Sequence, residues 1–329
     1  MVSLFCQDAA AGLTINEAVE AVGDYLTGEQ LAGGAWLGEE TYVGSIVAGL
    51  VNAYELTDNT CYKNSAELGA SFIINEAQGN FYGDEAYALT RLWDVTGEAA
   101  YVQAVRDFYN GLETDAYTRY FEQTDPSNAV FYTAQHTVAA VMVGAEDAYI
   151  WREALIRYLS FITDDLAYYP VMSLGVATWA LAQTGPLNDT LIDPFDLSGD
   201  GLWAGVTLSD LPDLLSSHQV INGTYAGSFY ESFDHANSGY TEDTVFGILG
   251  LIASDSKVGV DYTAEILSGR EALAWSVNRS GMVGEHIWNG GAVYYTYGGE
   301  VLQAIPEPLS LLLFGAAGWF LCRRRGNNS

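Results

Sequence analysis

Three pairs of adjacent carboxylates, Glu39-Glu40, Asp84-Glu85 and Glu242-Asp243, each open an apolar, helix-forming run. Acids in such places meet the positive end of a helix and its unbonded N–H groups, so stability alone gives them a use. Chemistry gives them another. Two carboxyl groups facing each other across a cavity work as general acid and general base on a glycosidic bond. They stand about 6.5–9.5 Å apart in inverting hydrolases and about 5–5.5 Å apart in retaining ones. Asp84, Glu85, Glu242 and Asp243 are the best candidates. The last two follow a sharp Gly239-Tyr240-Thr241 turn. Crowded in a partly buried cavity, like charges raise one carboxyl pKa and make an acid usable near neutral pH. Flat aromatic faces stack on sugar rings or grip apolar chains. Trp36, Tyr82, Tyr240 and Trp288, with His235 and His286, are therefore the candidate ligand-binding residues.

Other chemistries find little support. The chain has no G-x-S-x-G elbow, P-loop or dinucleotide fingerprint, and its four histidines lack metal-ligand spacing. No cofactor is expected. Asp193, Asp196 and Asp200 could hold Ca²⁺, which takes several oxygen ligands, but the loop does not match the EF-hand pattern and a plain solvated linker is the better reading. With 42 acidic against 12 basic residues and a formal net charge of −30, phosphate neutralisation is excluded and no nucleic-acid partner is expected. Cys6 and Cys61 could pair in an oxidising compartment, but two thiols do not decide it.

These residues must be positioned by helices. Amphipathic segments near 15–26, 61–75, 99–112, 149–162, 208–217 and 261–277 alternate with apolar, Gly/Ala-rich ones. The apolar set lies near 41–56, 83–95, 135–143, 171–183, 240–253 and 291–304. A helix apolar all round is buried on all sides. Six exposed-then-buried pairs predict an all-α domain over residues 1–305, an (α/α)6 toroid of six helical hairpins. Short turns would gather on one face and long loops on the other, with all four histidines on the loop face or at its edge. The second and fifth buried helices would stand opposite each other, and so would their acids.

Two resemblances add to this reading. Gly34-Ala35-Trp36, Gly79-Asn80-Phe81 and Gly227-Ser228-Phe229 recur before buried helices, with Gln30, Gln78 and Gln219 or Asn222 upstream. The pattern resembles the glutamine–glycine–aromatic repeats of the terpenoid cyclase and prenyltransferase toroids, which implies the fold. Their Asp-x-Asp-Asp proton donor and zinc ligand set are missing from the sequence. The tail, 306–329, reads Pro306-Glu307-Pro308, then an uncharged run Leu309–Cys322, then Arg323-Arg324-Arg325. Fourteen helical residues reach about 21 Å, short of the roughly 30 Å hydrocarbon core. The arginines fit the cytoplasmic side. This tail resembles the PEP-CTERM sorting signal. The resemblance implies an apolar sorting helix held in the inner membrane until an exosortase processes it. The body would then work at the cell surface or in the extracellular matrix of a Gram-negative bacterium that makes exopolysaccharide. The opening residues lack the basic and apolar stretches of a secretory signal, so a start upstream or a trimmed sequence is expected.

The function expected is a glycan-active hydrolase or lyase using cavity carboxylates, with polysaccharide as partner. The alternative is a non-catalytic surface or matrix protein that binds polysaccharide, lipid or protein. A terpenoid cyclase-like enzyme is the third reading.

Overall fold

The computed structural model describes residues 12–77, 79–120, 125–196, 199, 201–255, 257, 259–287 and 290–305. The chain starts with helix α1 (Ile15–Glu29), set by a capping box in which Thr14 and Glu17 bond each other's backbone N–H. There follow α2 (Val43–Thr57), α3 (Thr60–Ala77), α4 (Gly83–Thr96), α5 (Ala99–Gly111) and α6 (Thr114–Tyr120). Next come α7 (Pro126–Val143), α8 (Ala148–Leu159), α9 (Pro170–Thr184) and α10 (Leu211–Ser217). The last elements are α11 (Thr241–Ser254), α12 (Thr263–Ser276), strands β1 (Gly284–His286) and β2 (Gly290–Val293), and α13 (Tyr295–Ala304).

Helices α2, α4, α7, α9, α11 and α13 pack each against the next, and α13 packs back on α2. The ring is closed. Every residue of α2 from Val43 to Ala53 is buried, as an all-round apolar sequence requires. Helices α1, α3, α5, α8, α10 and α12 surround the ring, each against inner neighbours. The fold is the all-α toroid of six helical pairs expected from the repeats. Glycine sets the closest approaches: a Cβ on Gly49 would overlap the Gly299 carbonyl, and one on Gly299 would come 2.5 Å from Ile46 Cα.

Two expected boundaries move. The third buried helix, expected near 135–143, is α7 and begins nine residues earlier, and α6 stands before it. Asp125 caps α7 by accepting the Ser127 N–H at 2.9 Å, and Pro126 supplies a ready-set first turn. The start of 291–304 is strand β2, antiparallel to β1, and the helix begins only at Tyr295.

The glutamine–glycine–aromatic motifs act as staples between pairs. Gln30 Nε2 donates to the Gly34 carbonyl at 2.9 Å and to the Ser65 carbonyl on α3 at 3.0 Å. Gln219 Nε2 repeats this on Gly227 at 3.0 Å and on Glu265 of α12 at 2.8 Å. Gly34 and Gly227 stand at φ 99° and 92°, and a side chain there would strike the Leu68 or Ser268 carbonyl. Gln78 lies outside the described residues.

The far end of the ring is tied by arginines. Arg91 bonds the Glu55 carboxylate and, at 3.1 Å, Asn52 Oδ1. Arg106 donates to the Val143 carbonyl at 3.1 Å, Arg152 to Leu181 at 2.6 Å, and Arg270 to Ala304 at 3.2 Å. All of these lie near the C-terminal ends of inner helices, where cations suit orphan carbonyls.

Among the described residues no helix is long and apolar enough to cross a membrane. The expected sorting helix, its Pro306-Glu307-Pro308 and Arg323–Arg325 elements, and Cys6 all lie outside the described residues; Cys61 is exposed.

Candidate active site

The N-termini of the inner helices meet at the long-loop end around a cavity of about 410 Å³. Its carboxylates are Glu39, before α2, Glu242 on α11 and Glu300 on α13. Its walls are aromatic: Tyr42, Phe131, Tyr132, Tyr169, Tyr294 and Tyr297.

A recurring device explains most acids at this end. Glu39 accepts the N–H groups of Tyr295 at 2.5 Å and Thr296 at 2.6 Å, and also the Thr296 hydroxyl. Asp84 Oδ2 accepts the Ser45 N–H at 3.2 Å, and Asp243 accepts the Met172 N–H. In each case an acid from one pair caps the inner helix of the preceding pair, which ties α13 to α2, α2 to α4 and α9 to α11 at the N-terminal rim. Glu85 caps its own helix by accepting the Tyr82 N–H at 2.9 Å.

Of the four carboxylates singled out in the sequence, Glu242 lines the cavity. Asp84, Glu85 and Asp243 are buried behind its wall, 4%, 6% and 2% exposed. Burial pushes the Asp84 carboxyl up to about 6 against the pull of its backbone donors. Burial and then the Asp84 charge push Glu85 up to about 8. Asp243 is raised by burial, then by Glu242 and Glu231.

Glu300 was missed. It is 1% exposed, lines the cavity, and its Oε2 has no hydrogen-bond partner among the described residues. Burial raises its pKa well above the usual range, followed by the charges of Glu242, Asp84 and Glu39. Glu242 is raised by burial and by Glu285. The signal was present: Glu300 is the single charged residue in the otherwise uncharged run 291–304. A carboxyl in a helix buried on all sides needs a reason beyond packing.

The ligand-binding candidates divide. Tyr82 is exposed at the rim, its ring 5.9 Å from Tyr132. Tyr240 packs on His286 at 4.4 Å, beside the β-hairpin. Trp36 offers no face to a ligand, because it is fully buried and its Nε1 donates to the Leu26 carbonyl at 2.8 Å. His235 does not line the cavity. It lies 2.9 Å from His218 Nδ1 and stacks on Tyr230 at 4.3 Å. Trp288 lies outside the described residues. His136, expected at the loop face, is buried in α7 among Phe108, Tyr109, Tyr117 and Trp151, which lowers its pKa to about 3. Asp193 accepts the Phe195 N–H at 3.3 Å, Asp196 is exposed, and Asp200 lies outside the described residues. Among the described residues no group of three or more His, Cys, Asp or Glu side chains could hold a metal ion.

No protein-family model and no curated protein sequence matches this chain. Solved structures do. An inactive variant of the family 76 α-1,6-mannanase of Salegentibacter sp. HEL1_6, in complex with α-1,6-mannotriose, superposes with a TM-score of 0.60 at 12% identity, over 91% of this chain and 100% of that one. A family 88 glycosyl hydrolase from Bacteroides vulgatus gives 0.58 at 13%, covering 90% and 98%. A polysaccharide lyase gives 0.56 at 13%, covering 92% and 98%. At these identities the likeness carries the fold, and the toroids concerned are glycoside hydrolases and a lyase rather than terpenoid cyclases.

Proposed function

We propose that this chain is a glycan-active enzyme, a glycoside hydrolase whose acid and base are Glu300 and Glu242. The observation that carries the reading is a pair of carboxyls with raised pKa values on the wall of one tyrosine-lined cavity. Interacting carboxyls lose their protons in two steps, and between the steps the pair holds one proton. Glu300 is the more deeply buried of the two, so Glu242 ionises first and Glu300 keeps its proton. One acid and one base then coexist near neutral pH. Glu300 gives its proton to the glycosidic oxygen as the bond from the anomeric carbon breaks. Glu242 takes a proton from the water whose oxygen bonds that carbon. Asp84 keeps Glu300 protonated from behind and caps α2. The tyrosine faces hold the sugar ring.

Similar folds that act on glycans support the reading. So does the inactive mannanase variant, whose inactivation replaces two consecutive aspartates; Asp84-Glu85 and Glu242-Asp243 are consecutive acids here. A lyase acting on uronic acids must also neutralise a carboxylate, and no Lys, Arg or His lines this cavity among the described residues. The test is release of reducing ends from a glycan panel. Glu300→Gln and Glu242→Gln should each lose turnover on the order of a thousandfold without a lower melting temperature. Full turnover in both variants would sink the assignment. Glycan binding without turnover in the wild type would favour the non-catalytic binder.

We also propose that residues 306–329 form a separable sorting segment recognised by an exosortase, which holds the chain at the inner membrane and then delivers the body to the cell surface. The support is the order of Pro306-Glu307-Pro308, the apolar run and the arginines. Removing the tail after Ile305 should leave body stability unchanged and abolish membrane retention. A tailless chain still retained there would refute it.

A further inference from the structure

The charge balance of the cavity goes beyond a need for one acid and one base. Glu39, Glu242 and Glu300 line it, with Asp84 and Asp243 behind. Glu285 is near enough to raise Glu242, and Glu231 to raise Asp243. No Lys, Arg or His lines the cavity among the described residues. Arg91, Arg106, Arg152 and Arg270 are engaged near the far ends of the inner helices. Glu39 has three donors from the start of α13, but Glu300 Oε2 has none among the described residues although the side chain is 99% buried and faces the cavity. A volume of about 410 Å³ suits a small ligand, pockets for which run roughly 300–1,000 Å³.

Resting on the glycan reading above, we propose that the sugar seated in this cavity carries a free primary amine, bound as its ammonium ion. An ammonium brings three N–H donors to carboxylates that lack them. It also relieves the repulsion among the cavity acids, which a neutral hydroxyl or acetamide cannot do. A uronate would add a further negative charge to the cluster and is rejected on the same ground. The tyrosine faces serve the cation too, since aromatic rings attract positive charge. Because the cation makes carboxyl ionisation easier, amine binding releases protons from the raised acids behind the wall, Asp84 and Asp243, while Glu300 keeps the proton it donates.

Calorimetry on the full chain tests this with two matched pairs: glucosamine and N-acetylglucosamine tetramers, and galactosamine and N-acetylgalactosamine tetramers. Mannan and oligouronate tetramers serve as references. The amine member of at least one pair should bind on the order of tenfold more tightly than its acetylated partner, the gap narrowing with salt. Its heat should vary with the ionisation enthalpy of the buffer, as proton release requires. Glu300→Gln, checked by melting, should shrink the gap. If an acetylated, neutral or acidic oligosaccharide binds as tightly as the tighter-binding amine, the charge selection is wrong while the glycan reading stands. If no sugar binds or is cleaved, both fall.

Discussion

The two ends of the toroid face the same problem with opposite signs. Six inner helices crowd their N-termini at the long-loop end and their C-termini at the short-turn end. At the short-turn end Arg106, Arg152 and Arg270 each donate to a backbone carbonyl near a helix terminus, while Arg91 grips Glu55 and Asn52. At the long-loop end Glu39, Asp84 and Asp243 accept N–H groups from neighbouring helices. The symmetry fails at Glu242 and Glu300, which cap no helix terminus and face a cavity. Charges engaged at helix ends explain themselves by the helix dipole. Charges beyond that need are where function is to be sought.

The sharpest challenge to this contrast is Arg91→Met. It leaves Glu55 half-buried without its guanidinium partner and should cost about 3 kcal/mol in denaturant unfolding. Turnover per folded molecule should stay at the wild-type level; lost turnover at full stability would mean that the two ends are not independent.

The acids of the mouth should dominate the pH dependence of stability. Asp84 and Glu85 rise from 3.8 to about 6 and from 4.5 to about 8. The folded state therefore holds protons that the unfolded chain releases. Stability is fully present below about pH 4 and is lost as the pH climbs through 6 towards 8. A fall of about 2 kcal/mol between pH 5 and 8 is expected, read as melting temperature across buffers. A rise over that window would show the burial argument to be wrong. The smallest effect is Arg106→Met, which removes the hydrogen bond from an exposed arginine to the Val143 carbonyl. About 1 kcal/mol is expected, with turnover untouched. A cost equal to that of Arg91 would mean that burial does not set the scale at this end.

The architecture was legible in the sequence because helices apolar all round, such as α2 and α9, have one place to go. All six inner and outer segments are found close to their expected positions. The start of α7 was hidden, since Pro126, Ser127 and Asn128 look like loop residues until Asp125 is recognised as their cap. The site was half legible. Adjacent acids at helix starts pointed to the correct end of the ring, but neighbours on a helix face in different directions. Glu242 enters the cavity while Asp243 turns to Met172, and no spacing rule separates them. Glu300 could have been found by asking why a buried helix carries one charge. Trp36 deceived because a glycine-led aromatic on a loop reads equally as ligand platform and as core anchor.

The closure of the ring between α2 and α13 governs how the molecule is made. Asn52 Nδ2 donates to the Gln303 carbonyl across 251 residues of chain. Gly49 meets Gly299 in the same seam. The entropy of joining such distant segments grows only slowly with the length between them, by about 0.6 kcal/mol per doubling. The constraint is instead one of timing. Five pairs can assemble as they emerge, each on the one before, but the first inner helix keeps a bare flank until the last ten residues of the body arrive. A chain stopped just short of Tyr295 is therefore not a slightly smaller ring; it is an open horseshoe with two unmated edges, each a ready partner for another unfinished copy.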